Sequence, residues 1–226
     1  MLLFSNSIGN KTWWITGGIG ATVSHTTEFY EYGEFLGSLV KVDLPIGVYG
    51  HCMVSFDSSV FLIGGYHGRV EENFGISSDV WAWDFSNGYT SPDVKLLNSL
   101  KQARMKHSCG LLEQTSGERI LVVAGGFDGR KSLDSVEVLD FQGSLGIYSK
   151  WREAQKLPEP LHGGGGVLPG LKPYCGKIFF VGGKSTFTRH LHDTIYEFDG
   201  TNWRLHSSKL IFGRADFALI KDDNFC

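Results

Sequence analysis

Four short apolar runs each stop at a pair of adjacent glycines. They are Trp13-Trp14-Ile15-Thr16 before Gly17-Gly18, Val60-Phe61-Leu62-Ile63 before Gly64-Gly65, Ile120-Leu121-Val122-Val123-Ala124 before Gly125-Gly126, and Ile178-Phe179-Phe180-Val181 before Gly182-Gly183. Each has the length and the β-branched or aromatic content of a strand. Beyond each pair comes a second stretch ending in an acid: Thr27-Glu28-Phe29-Tyr30-Glu31, Val80-Trp81-Ala82-Trp83-Asp84, Val136-Glu137-Val138-Leu139-Asp140 and Ile195-Tyr196-Glu197-Phe198-Asp199. A third apolar stretch precedes the pairs, clearest at His51-Cys52-Met53-Val54 and at His107-Ser108-Cys109-Gly110-Leu111-Leu112. No segment sustains apolar residues at the 3.6-residue spacing of a helix. The pattern predicts an all-β chain in which several strands recur with every glycine pair.

The pairs lie 47, 61 and 57 residues apart, close to the roughly 50-residue period of a kelch blade. The third repeat carries the pattern best: Arg104, His107-Ser108-Cys109-Gly110, Val122-Val123-Ala124-Gly125-Gly126-Phe127-Asp128-Gly129, Leu133-Asp134-Ser135-Val136-Glu137-Val138-Leu139-Asp140 and Trp151. On these residues the chain resembles the kelch family across essentially its whole length. The resemblance implies a β-propeller of four-stranded antiparallel blades around a channel. The expected organisation is one domain, 1–226, with approximate blades 1–45, 46–100, 101–158 and 159–210. Residues 211–226 supply a terminal strand, seen in Arg214-Ala215-Asp216-Phe217-Ala218-Leu219-Ile220. Kelch rings most often hold six blades, so two readings stand: a fragment of a larger ring, which is the expected one, or a four-bladed ring closed by the tail strand.

Glycine is needed at Gly17, Gly18, Gly64, Gly65, Gly125, Gly126, Gly182 and Gly183 if the chain turns out of a crowded strand there with positive φ. The 30 glycines against 6 prolines in 226 residues suit such a turn-rich β protein. A net charge of −3 leaves no basic stripe, so nucleic acid is not the expected partner. No apolar run approaches the roughly 20 residues of a membrane span.

The four cysteines, at 52, 109, 175 and 226, match no zinc spacing and no small disulfide scaffold. Cys52 and Cys109 read as equivalent strand positions, hence as small buried side chains rather than a bridge. Met1-Leu2-Leu3-Phe4 is too short for the apolar segment of a signal peptide, and Asn10-Lys11-Thr12 is a glycosylation sequon that matters only in a secreted protein. The cytoplasm is the expected location, with secretion as the alternative.

Catalytic readings find little support. Gly182-Gly183-Lys184-Ser185 has the end of a phosphate loop, but the first glycine would fall at Ile178. The run Gly163-Gly164-Gly165-Gly166 suits close strand packing. Arg189-His190-Leu191-His192-Asp193 could hold a metal in principle, yet a solvated loop is the expected role. His51 and His107 recur, which points to structure. Copper radical oxidases share the kelch propeller, but their set of tyrosines and histidines finds no match here, and no Gly-x-Ser-x-Gly occurs. No enzyme activity, metal or cofactor is expected.

Binding remains. Loops after the glycine pairs should gather on one face: Tyr66, His67 and Arg69; Asp128 and Arg130; and Lys184. In intracellular kelch substrate receptors, arginines at the start of the first strand join this face and grip acidic peptides. The matching positions are Arg104, His162 and Arg214; the second repeat has no arginine near Val48. The resemblance thus implies a protein or peptide partner, acidic where Arg69, Arg104, Arg130 and Arg214 form a basic rim. It further suggests the substrate-recognising end of a cullin-type ubiquitin ligase adaptor, provided adaptor domains lie upstream. A secreted propeller for adhesion or glycan binding is the alternative.

Overall fold

The structure is a computed structural model that describes residues 3–5, 12–16, 26–31, 42–43, 47–56, 58–67, 75–86, 93–113, 119–140, 150–169, 176–217 and 219. They form four four-stranded antiparallel sheets and one small three-stranded sheet, with no helix among the described residues. The first sheet runs β1 (Leu3–Ser5), β2 (Thr12–Thr16), β3 (Thr26–Glu31) and β4 (Val42–Asp43) in sequence order. β5 (Val48–Tyr49) then leads into the second sheet, β6 (Cys52–Phe56), β7 (Ser59–Ile63), β10 (Val80–Asp84) and β11 (Asp93–Leu96). β8 (Tyr66–His67) and β9 (Gly75–Ile76) pair with β5 as the three-stranded sheet. The third sheet is β12 (Ser108–Glu113), β13 (Arg119–Ala124), β14 (Val136–Asp140) and β15 (Arg152–Glu153). The fourth is β16 (Gly165–Pro169), β17 (Ile178–Val181), β18 (Ile195–Phe198) and β19 (Trp203–Leu205).

Successive side chains on a strand point to opposite faces, and in the third sheet both faces are covered. Ile120, Val122 and Ala124 join Val138, Phe180 and Phe198 in an apolar layer against the fourth sheet. Leu121 and Val123 join Phe61, Ile63 and Leu139 in the layer against the second. The second sheet's other face carries Val60, Leu62, Trp83 and Phe85. Burial on both faces is why the central runs are apolar throughout instead of alternating with polar residues. The innermost strands β6, β12 and β16 lie side by side, a propeller-like arrangement.

The glycine pairs build the joints between sheets. Gly126 N–H donates to the Leu161 carbonyl at 2.8 Å, as Gly65 does to Arg104 at 2.9 Å and Gly183 to Arg214 at 2.8 Å. A Cβ on Gly125, at φ +64°, would stand 2.5 Å from that same Leu161 oxygen. A second chain of backbone bonds runs along the ends of the inner strands: Lys106 N–H to the Gly50 carbonyl (2.6 Å), Gly163 N–H to Lys106 (2.7 Å) and Asp216 N–H to Gly163 (2.7 Å). Gly17 and Gly18 lie outside the described residues.

Cys52 and Cys109 depart from expectation. Cys52 pairs with Ile63, whereas Ser108 pairs with Ala124. Ile63 and Ala124 each directly precede a glycine pair, so Ser108 is the counterpart of Cys52, and Cys109 sits one residue further on. A one-residue offset turns a side chain to the other face. Cys52 therefore points toward the third sheet and Cys109 toward the second, and the two form a disulfide with a Cα separation of 6.0 Å.

Candidate functional site

Beyond each of the three described glycine pairs the sheet continues as a narrow ladder at the same end of the molecule. Tyr49 pairs with Tyr66 in the second sheet's extension. Met105 pairs with Phe127, and His162 with Lys184, at the corresponding places of the third and fourth. The Tyr49 and Tyr66 rings are 5.1 Å apart and those of Phe127 and His162 5.4 Å, so aromatic groups recur across this face. Lys106, Lys184 and Asp216 gather beside them. Lys106 Nζ lies 3.0 Å from Asp216 Oδ1, and Lys184 Nζ 2.7 Å from Oδ2. Burial works against the Asp216 charge, but the hydrogen bonds from Lys184 and Lys106 outweigh it and hold the carboxyl below its ordinary range.

The expected site residues differ in where the structure places them. Tyr66 and Lys184 reach this face half-buried, Arg130 and Arg214 are exposed, and Arg69 lies outside the described residues. Asp128 shapes its loop, its Oδ1 accepting the backbone N–H groups of Arg130 (2.9 Å) and Lys131 (2.8 Å). His67 is mostly buried, with Nδ1 3.8 Å from Asp79 Oδ2. Burial pushes its pKa down against the opposing pull of Asp79.

Arg104 and His162 are buried rather than presented to solvent. Arg104 is 0% exposed. Its Nη1 donates to the carbonyls of Gly125 (2.8 Å) and Ser135 (3.0 Å), and its Nη2 to Ser135 Oγ (3.1 Å) and Glu137 Oε1 (2.6 Å). It joins the second sheet's exit loop to the third sheet. His162 is buried, with Nδ1 2.8 Å from Ser132 Oγ. Ser132 N–H donates to Thr186 Oγ1 (2.9 Å) and Thr186 N–H to Ser132 Oγ (2.8 Å), tying the third sheet's loop to the fourth's. Desolvation, with the Lys184 ammonium beside it, lowers the His162 pKa to about 4, so this ring is neutral scaffolding at pH 7.

Phe127, in the expected loop 127–130, completes the face together with Tyr49, Met105, Lys106 and Asp216, which were not among the expected residues. Their signal in the sequence was positional: Tyr49, Met105 and Lys106 fall just before an inner strand and Phe127 just after a glycine pair, whereas Asp216 lies in the tail, where the described residues 211–217 and 219 form no strand in place of the expected terminal one. The 189–193 segment is committed elsewhere, with His192 Nδ1 3.2 Å from Glu159 Oε1 and Asp193 paired to Lys209 at 3.2 Å. Among the described residues no group of three or more His, Cys, Asp or Glu side chains is placed to hold a metal ion. No described helix is long and apolar enough to cross a membrane.

No family profile matches the chain, and no curated protein matches it. Among solved structures, that of YjhT is similar at a TM-score of 0.62 and 13% identity, covering 91% of this chain and 68% of YjhT. At that identity the likeness speaks for the fold, an all-β, propeller-like assembly of antiparallel sheets.

Proposed function

We propose that this chain is a kelch-type propeller domain, or four blades of a larger ring, that binds a protein or peptide partner and carries out no catalysis. The observation supporting this reading is the end face itself, where Tyr49, Tyr66, Phe127, Lys106 and Lys184 converge from three sheets on a rigid scaffold. Aromatic residues are among the types that dominate interface energetics, and surplus ammonium groups suit an acidic partner. Substrate recognition for a cullin-type ubiquitin ligase adaptor is one setting for such a module.

The disulfide between Cys52 and Cys109 favours a second setting, a secreted propeller for adhesion or glycan binding, because structural disulfides persist in oxidising compartments and are rare in the cytosol. The test is capture of partners from the protein's native tissue by wild type and by a Tyr66→Ala/Phe127→Ala/Lys184→Ala variant, each quantified by mass spectrometry. The reading expects captured partners to be lost from the triple variant and kept by Arg204→Ala, which lies on β19. Equal capture by all three proteins would reject the face. Alkylation of Cys52 and Cys109 in the protein taken from its native tissue and unfolded in denaturant without reductant would argue for the intracellular setting, and protection of both for the secreted one.

A further inference from the structure

Lys106 and Asp216 hold the same place in successive repeats as Gly50 and Gly163, and all four adopt left-handed backbone: φ +53°, +57°, +64° and +65°. Left-handed backbone is costly for a residue with a Cβ, more so for Lys than for Asp. Two repeats use glycine there, so the charged side chains in the other two call for a reason of their own. Half-exposed ion pairs contribute little to stability, which leaves the shape of the cluster as the informative feature. Lys106 and Lys184 approach opposite oxygens of one carboxylate, at 3.0 Å and 2.7 Å. That carboxylate belongs to the segment following the fourth sheet, and two ammonium groups on one acid leave an unbalanced positive charge.

We propose that Lys106 and Lys184 form a carboxylate-binding site on the end face, and that Asp216 fills it as an internal stand-in for an acidic side chain of the partner, which displaces it on binding. The site thereby carries its own competitor. This rests on the partner-binding reading above and specifies its chemistry and its restraint. The attachment of Asp216 suits displacement: among the described residues its side chain is hydrogen-bonded by the two lysines, while its backbone stays in place through the N–H bond to Gly163 (2.7 Å).

The test uses a fluorescein-labelled hexaglutamate peptide and fluorescence anisotropy at low salt. Asp216→Asn and Asp216→Gly are both compatible with left-handed backbone, and glycine reproduces what Gly50 and Gly163 already do, so at least one variant folds. Each should bind the peptide roughly three- to thirty-fold more tightly than wild type, the factor two half-exposed ion pairs can release. Asp134→Asn makes the same change of charge away from the two lysines and should change nothing. Adding Lys106→Asn/Lys184→Gln should abolish the gain. Tightening no greater than that of Asp134→Asn, with wild-type binding intact, would overturn the internal competitor and leave the acid-binding face standing. Absence of binding by every variant would overturn both.

Discussion

Arg104 Nη2 lies 2.6 Å from Glu137 Oε1 in the interior, between the second and third sheets, with both side chains almost wholly removed from water. Glu137 also accepts the backbone N–H groups of Lys101 (2.6 Å) and Gln102 (3.1 Å), so the charges are hydrogen-bonded on every side. Removing one member of such a pair leaves the other buried and uncompensated, at a cost of about 3–5 kcal/mol. Arg104→Ala and Glu137→Ala should each lower the unfolding free energy measured by urea denaturation by that amount, and the double variant should lose less than the two together. Strict additivity would mean that the pair is not coupled.

The Cys52–Cys109 bridge joins residues 57 apart in sequence, in neighbouring sheets. Closing a loop of that order stabilises a fold by about 2–4 kcal/mol, which at this chain length corresponds to roughly 10 °C in melting temperature. Cys52→Ser/Cys109→Ser, or wild type after complete reduction, should melt lower by about that margin. Identical melting of oxidised and reduced protein would show that the bridge adds nothing to the packing around it.

His51 and His107 are wholly buried beside the inner strands. Desolvation is the main cause of both depressed pKa values, about 4 for His51 with His67 nearby, and about 3 for His107 with Arg104 and His51 nearby. Each is neutral when folded, whereas the unfolded chain takes up a proton near pH 6.5. Between those values the unfolded state binds more protons, so stability is full above about pH 6.5 and falls as the pH drops toward 4. Each histidine contributes up to about 1.4 kcal/mol per pH unit in that window. Urea midpoints at pH 7.0, 5.5 and 4.5 should decline steeply for wild type and less steeply for His107→Gln. Parallel declines would assign the acid sensitivity to other groups.

Gly125 has no room for a side chain: its φ is +64°, and a Cβ would stand 2.5 Å from the Leu161 carbonyl oxygen. Left-handed strain alone costs an alanine about 1–2 kcal/mol, and the collision with a fixed backbone atom adds to it. Gly125→Ala should therefore destabilise by about 2 kcal/mol or more in chemical denaturation. Gly75, with nothing within 4 Å of its Cβ position, should accept alanine nearly without effect.

Much of this architecture was legible along the chain because its causes are local. A strand buried on both faces appears in the sequence as an unbroken apolar run such as Ile120–Ala124, and a joint that needs left-handed backbone appears as a glycine pair. The repeat of those two features determined the all-β class, the strand positions and the end of the molecule where the loops gather. What the tertiary structure decided were relationships between residues far apart in sequence. Arg104 reads like Arg214, but only packing shows that a glutamate of the next sheet lies over the first, while the second stays in water. Cys52 and Cys109 look equivalent until the register is known, and the single-residue offset is what turns them toward each other. Lys106 and Asp216 are unremarkable charges 110 residues apart, joined only because successive sheets bring the same rim position side by side. Periodicity reports how each strand meets its surroundings, whereas the pairing of two particular side chains depends on which sheet lies against which, and that is set by the whole fold.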